Sequence, residues 1–137
     1  MSKFAIEKVN LIENNKECID EKIPFYKLFI NKRCDFDKFY SEIYNSNLKP
    51  QLIQIITRLK TISEGNQHTL PKQKFHQLKR DKSDKFIDYE IKTKNLRLYF
   101  FKDNHSRIII LGGKKKEQVK DLDRMRKIKK EYFKNKP

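Results

Sequence analysis

The stretch "YEIKTKNLRLYFFKDNHSRIIILGGKKK", from Tyr89 to Lys116, decides how the rest of the chain is read. Apolar runs alternate here with two short polar breaks, Lys94-Asn95 and "KDNHSR". Runs of this length rich in β-branched and aromatic residues read as strands, and connections this short force neighbouring strands to run antiparallel. Lys94-Asn95 predicts a two-residue hairpin turn, with Asn95 able to take positive φ. Alternation within the stretch sets Ile91, Leu96, Leu98 and Phe100 toward a core. Lys92, Lys94 and Arg97 then belong to the opposite face, with Tyr99 and Phe101 on the same alternate set. Lysines and an arginine beside aromatics suit RNA phosphate and base. The competing reading of that face is a solvated, basic sheet surface. Lys114, Lys115 and Lys116 leave the neighbouring strand beside it.

Working outward, strands are predicted over Phe75–Arg80, Phe86–Thr93, Leu96–Lys102 and Arg107–Gly112. Before them, Asp35 is suited to cap a helix starting at Phe36. Phe36, Phe39, Tyr40 and Ile43 make one apolar stripe on it. "NSN" (45–47) breaks that helix, and a second begins near Pro50. Its stripe is Leu52, Ile55, Ile56, Leu59 and Ile62, and Gly65 ends it. The short connection makes the two an antiparallel helical hairpin. Further upstream, "KFAIEKVNLI" (3–12) reads as a strand with Phe4, Ile6, Val9 and Leu11 on one side. Residues 13–22 read as a loop, and "PFYKLFIN" (24–31) as a strand with Tyr26, Leu28 and Ile30 alternating. At the other end, Glu117–Lys134 reads as a helix with Val119, Leu122, Met125, Ile128 and Tyr132 on its apolar side. The expected class is α+β, with helices packed on a mostly antiparallel sheet.

The chain has 137 residues, enough for one domain, and a net charge of +15. That charge is segregated. Residues 1–71 carry net +2, residues 72–91 net +2, and residues 92–137 net +11. Such a gradient implies an anionic partner for the C-terminal third, nucleic acid before a membrane surface or an acidic protein. Cys18 and Cys34 make no disulfide framework, and a reduced cytoplasmic setting suits them. No apolar run approaches a membrane span, and the N-terminus lacks a signal-peptide core. The three histidines and two cysteines have no metal-ligand spacing. Gly112-Gly113 is not a phosphate loop. It reads as letting the strand end turn sharply into the last helix.

"YEIKTKNLRLYFF", then "RIIILGGKKK" and a basic terminal helix, resembles the RelE/ParE superfamily of toxin–antitoxin toxins, and within it the HigB-like branch. The likeness spans about residues 35–135. It implies one RelE-like toxin domain over 1–137, with 1–34 as an N-terminal strand extension. The implied fold is a twisted antiparallel β-sheet with an N-terminal helical hairpin and a C-terminal helix. The implied activity is ribosome-dependent cleavage of messenger RNA, without metal or other cofactor, by attack of a ribose 2′-OH on the adjacent phosphate. That chemistry asks for a base, cations for the phosphorane and an acid for the leaving oxygen. By motif position, Arg97 is the phosphate clamp, Lys92 the base or charge stabiliser and Lys115 a transition-state cation. Lys94, Tyr99, Lys114 and Lys116 are RNA contacts. No general acid is evident. His76 is a substitute for it, weighed against a structural role. The implied partners are a cognate antitoxin, itself a small DNA-binding protein, and the ribosome with its mRNA. Two other readings stay open: a ParE-like toxin that acts on DNA gyrase without cutting RNA, and a non-catalytic RNA- or ribosome-binding module.

Overall fold

The computed structural model describes residues 2–13, 16–17 and 21–136. In chain order the elements are β1 (Phe4–Lys8), β2 (Ile12–Glu13), β3 (Lys16–Glu17), β4 (Phe25–Ile30), α1 (Asp35–Tyr44) and α2 (Lys49–Ser63). Then come β5 (Phe75–Gln77), β6 (Asp88–Lys92), β7 (Leu96–Asp103), β8 (Ser106–Lys114) and α3 (Gln118–Lys134). Six strands form one sheet in the order β1-β4-β8-β7-β6-β5. The meander β5–β8 is antiparallel throughout, as its short turns require. β4 joins it parallel, pairing Phe25–Lys27 with Arg107–Ile109. The sheet is therefore mixed, because the chain passes through two helices and three strands between β4 and β8. The helical hairpin is not N-terminal either, since four strands precede it.

Helices cover both faces. On one, α1 and α2 seat Phe36, Phe39, Ile43, Leu52, Ile55, Leu59 and Ile62 against Phe25, Ile91, Leu96, Leu98, Phe100 and Ile109. The predicted stripes and the inward set of the meander meet here. Tyr40 alone turns outward and stacks on Tyr44. On the other face, α3 seats Met125 and Tyr132 against Phe4, Leu28, Tyr99, Phe101, Ile108, Ile110 and Leu111. A bulge makes that possible. Tyr99 pairs with Leu111 but Phe100 with Ile109, so Ile110 is an extra residue and joins the second core.

Several boundaries differ from the sequence reading, each for a local reason. Cys34 is the N-cap of α1, its Sγ accepting from the Asp37 amide at 3.4 Å. Asp35 falls in the first turn, and its carboxylate is taken by Arg124 at 2.7 Å. Cys34 is a free thiol; Cys18 lies outside the described residues. The 13–22 segment, read as a loop, contains part of a short antiparallel pair, Ile12–Glu13 with Lys16–Glu17. Its residues 14, 15 and 18–20 lie outside the described ones. β1 is shorter than read, and Ile6 on it is exposed. Asn95 does not adopt positive φ. Instead α2 clamps that turn: Gln51 Oε1 accepts from Thr93 Oγ1 and the Asn95 amide, and Gln51 Nε2 donates to Asn95 Oδ1. The other turn uses Asn104 at φ 53°. Gly65 ends α2 at φ 81°. Val119 is 85% exposed rather than apolar-side. Among the described residues no helix is long and apolar enough to cross a membrane.

Gly112 and Gly113 serve close approach on both faces at once. A Cβ on Gly112 would sit 2.6 Å from Phe39 Cδ2 of α1, and one on Gly113 would overlap Asp121 Oδ2 of α3. Neither glycine has a positive φ. Both lie within β8, so tight packing of α1 and α3, not a sharp turn out of the strand, is what these positions require.

Candidate nucleic-acid interface

The meander register lays the sequence-predicted residues out in rows on the α3 side of the sheet. One row is Lys92–Arg97–Gly113, and the next is His76–Glu90–Tyr99–Leu111. Lys92 and Arg97 are thus cross-strand neighbours, as the alternation requires. Lys114 follows Gly113 and pairs with Leu96; the Lys115 amide donates to Asn95 O at 2.8 Å. The lysine cluster therefore closes the same end of the sheet as Lys94 and the Lys92–Arg97 row.

Exposure divides this set. Lys94, Lys114, Lys115 and Lys116 are exposed, Lys92 is half-buried, and none of the five forms an ion pair among the described residues. Arg97 is only 6% exposed. Its Nη1 donates to Thr93 O at 2.6 Å and Leu96 O at 2.7 Å, while its Nε is buried with no hydrogen-bond partner among the described residues. Tyr99 is wholly buried, and its hydroxyl also makes no hydrogen bond among the described residues. Burial, and then the charge of Glu90, hold its phenol well above the usual range. The open basic and aromatic face expected at Tyr99 and Phe101 is corrected here: α3 lies over it. That helix is no loose cover. Met125 and Tyr132 are fully buried, and exposing each would cost about 1.5–3 kcal/mol.

His76 lies on β5 with its Nε2 2.8 Å from Glu90 Oε1. Glu90 is almost fully buried and its other oxygen accepts from Gln118 Nε2 of α3 at 2.8 Å. Glu90 thus ties His76 and the first turn of α3 to one carboxylate. Sequence reasoning missed it; the signal was its place two residues before Lys92, on the same face of the strand.

Beside the lysines, β8 has no partner strand beyond Ile109 on its β4 side among the described residues. A cleft of about 310 Å³ opens there between α1 and α3. Lys114 and Lys116 share its walls with Asp35, Glu42, Glu117 and Asp121. Burial, and then Glu117, push the Asp121 carboxyl up. A cleft of such mixed charge is no anion trap. The part of the cluster free to meet phosphate is its outer rim, Lys92, Lys94, Lys115 and the exposed ammonium groups of Lys114 and Lys116. Among the described residues no group of three or more His, Cys, Asp or Glu is placed to hold a metal ion. No protein-family model, curated protein or solved structure matches the chain.

Proposed function

We propose that this chain acts on RNA as a RelE/ParE-type toxin, docking RNA phosphate on the lysine rim and cutting mRNA on the ribosome. The observation that carries the reading is the rim itself. Unpaired, exposed lysines gather at the end of the sheet where Lys92 and Arg97 stand side by side. The element order of strands, helical hairpin, four-strand meander and helix supports a RelE-like fold. In this reading Lys92 serves the attacking 2′-OH, Lys115 stabilises the phosphorane, and Arg97 clamps phosphate with its remaining donors. His76, oriented by Glu90, supplies the proton to the leaving 5′-oxygen. An antitoxin would present an acidic or amphipathic segment to the same rim.

One observation favours a second reading, an RNA- or ribosome-binding module without catalysis. Arg97 already spends Nη1 on two carbonyls and is nearly enclosed. The deciding experiment is induced expression in a bacterium, with growth and mRNA 5′ ends read together. Wild type is compared with a variant carrying Lys114→Ala, Lys115→Ala and Lys116→Ala, which leaves the buried core untouched. Arrest with new mRNA ends, both abolished in the variant, is the expected result. Arrest with intact mRNA and blocked gyrase supercoiling selects the ParE-like alternative. Salt-sensitive RNA binding without arrest selects the binding module.

A further inference from the structure

The far end of α3 holds a second meeting of aromatic rings and cations, outside the lysine rim. Phe133 packs its ring 5.1 Å from those of Phe101 and Tyr132, so its inner side belongs to the core. Phe86 stacks on Phe133 with centroids 3.5 Å apart and planes 5° apart. Phe86 is nevertheless 38% exposed. Phe133 covers one face of that ring, so the exposure belongs to the other face and the edge. A cluster of aromatic rings ends here in one partly exposed ring.

The surroundings hold that ring in place. Lys129, 3% exposed, donates to Phe86 O at 2.8 Å, to Asp84 Oδ2 at 2.6 Å and to Asp88 Oδ2 at 2.8 Å. Arg126 Nη2 donates to Lys79 O at 2.7 Å on the preceding segment. The Phe86 backbone is therefore anchored to α3 on a fully paired, buried ammonium. Beside the ring lies a pocket of about 440 Å³ whose rim carries Lys85, Arg126, Lys130 and Lys134. Lys85, Lys130 and Lys134 are exposed and without an ion pair among the described residues. Lys130 and Lys134 are one helical turn apart and share a face. Asp84, the carboxylate of the same pocket, is spent on Lys129.

An anchored, open aromatic face within a ring of free cations matches one chemistry above others. A nucleobase stacks on the ring while its flanking phosphates meet the ammonium groups. An acidic peptide would answer the cations but not the flat, open face. We infer that Phe86, with Lys85, Lys130 and Lys134, forms a stacking site for single-stranded RNA. It lies at the opposite end of α3 from the lysine rim, about 25 Å away along 17 residues. The inference rests on the reading that RNA is the ligand, and adds a base contact to a surface otherwise made of phosphate contacts.

The test is fluorescence anisotropy with a short labelled oligouridine of 2′-O-methyl RNA, which cannot be cut by 2′-OH attack. A strand of abasic residues with equal length and charge is the control. Phe86→Leu is expected to weaken oligouridine binding about tenfold and to leave the abasic strand unaffected. Lys130→Ala with Lys134→Ala, both exposed, should weaken both strands whether or not Phe86→Leu folds. The inference is overturned if a folded Phe86→Leu variant binds oligouridine as wild type does, or if the double lysine variant changes neither affinity. Binding of an acidic peptide that needs Phe86, with no binding of either strand, also overturns it and makes the site a protein-docking one. The cleavage reading stands or falls separately, on the mRNA 5′-end map, to which this assay is blind.

Discussion

The two faces of the sheet are both covered by helices, but they are closed by different means. Under α1 and α2 the interface is apolar on both sides, with Phe36, Phe39, Leu52, Ile55 and Leu59 against Leu96, Leu98 and Phe100. Under α3, strands β6 and β7 bury Asp88, Glu90, Arg97 and Tyr99, and the helix answers Glu90 with Gln118 and Asp88 with Lys129. Apolar packing is tolerant of partner and insensitive to pH. Buried charge is neither: each group needs its partner at hydrogen-bond distance. The α3 face is therefore where this molecule concentrates both its polar specificity and its vulnerability.

The contrast is broken most directly at Lys129. Lys129→Ala leaves two carboxylates without their ammonium, one of them fully buried, and should cost about 3–5 kcal/mol in urea denaturation. Truncating Ile55 to Val on the hairpin face should cost only about 0.5–1.5 kcal/mol, and equally at all pH values. A Lys129→Ala variant as stable as wild type would show that the α3 face does not depend on its charges.

The adjacent glycines sharpen the comparison. Gly112→Ala drives a methyl into the buried Phe39 ring and should cost about 1–3 kcal/mol. Gly113→Ala meets only the far end of the Asp121 side chain, which can rotate toward the cleft. Its destabilisation should be visibly smaller in the same denaturation assay. Equal effects would mean that α3 sits as rigidly as α1.

A smaller effect separates the faces by pH. Burial raises the Asp84 carboxyl, but the hydrogen bond and charge of Lys129 outweigh it, with help from the Phe86 amide and Arg80, and hold the group below its ordinary value. A carboxyl depressed in the folded state stabilises above its unfolded value, near about 3.9, and that contribution is lost as pH falls through the folded value beneath it. Thermal melts of wild type should fall faster than those of Asp84→Asn as pH drops below about 4. Parallel curves would remove Asp84 from the account.

The hairpin face is legible in the sequence because stripe and strand alternation both point inward and nothing contradicts them. Phe36, Phe39 and Ile43, then Leu52, Ile55, Leu59 and Ile62, are read and found on one side. The α3 face is not legible by the same rule. Period-two alternation assigns Lys92, Arg97, Tyr99 and Phe101 to one face correctly, but polarity then argues that the face is wet. What covers it is a helix whose apolar stripe holds at Met125 and Tyr132 but fails at Val119, which is outside, and omits Lys129, which is inside. The parallel pairing of β4 with β8 is invisible for another reason: no local turn chemistry links strands so far apart in the chain. At the candidate site, the nearness of Lys92, Arg97 and Lys114 follows from register and is legible. The enclosure of Arg97 by Thr93 O and Leu96 O depends on side-chain geometry and is not.

The central claim is that the lysines at the β8 exit meet RNA phosphate. The salt dependence of RNA binding tests it most directly, with wild type beside the variant carrying Lys114→Ala, Lys115→Ala and Lys116→Ala. Each phosphate of a single strand that the protein no longer neutralises should flatten the plot of log affinity against log salt by about 0.7. The account therefore predicts a slope shallower by about 1–2 for the triple variant. An unchanged slope would place RNA elsewhere on the molecule and contradict the account.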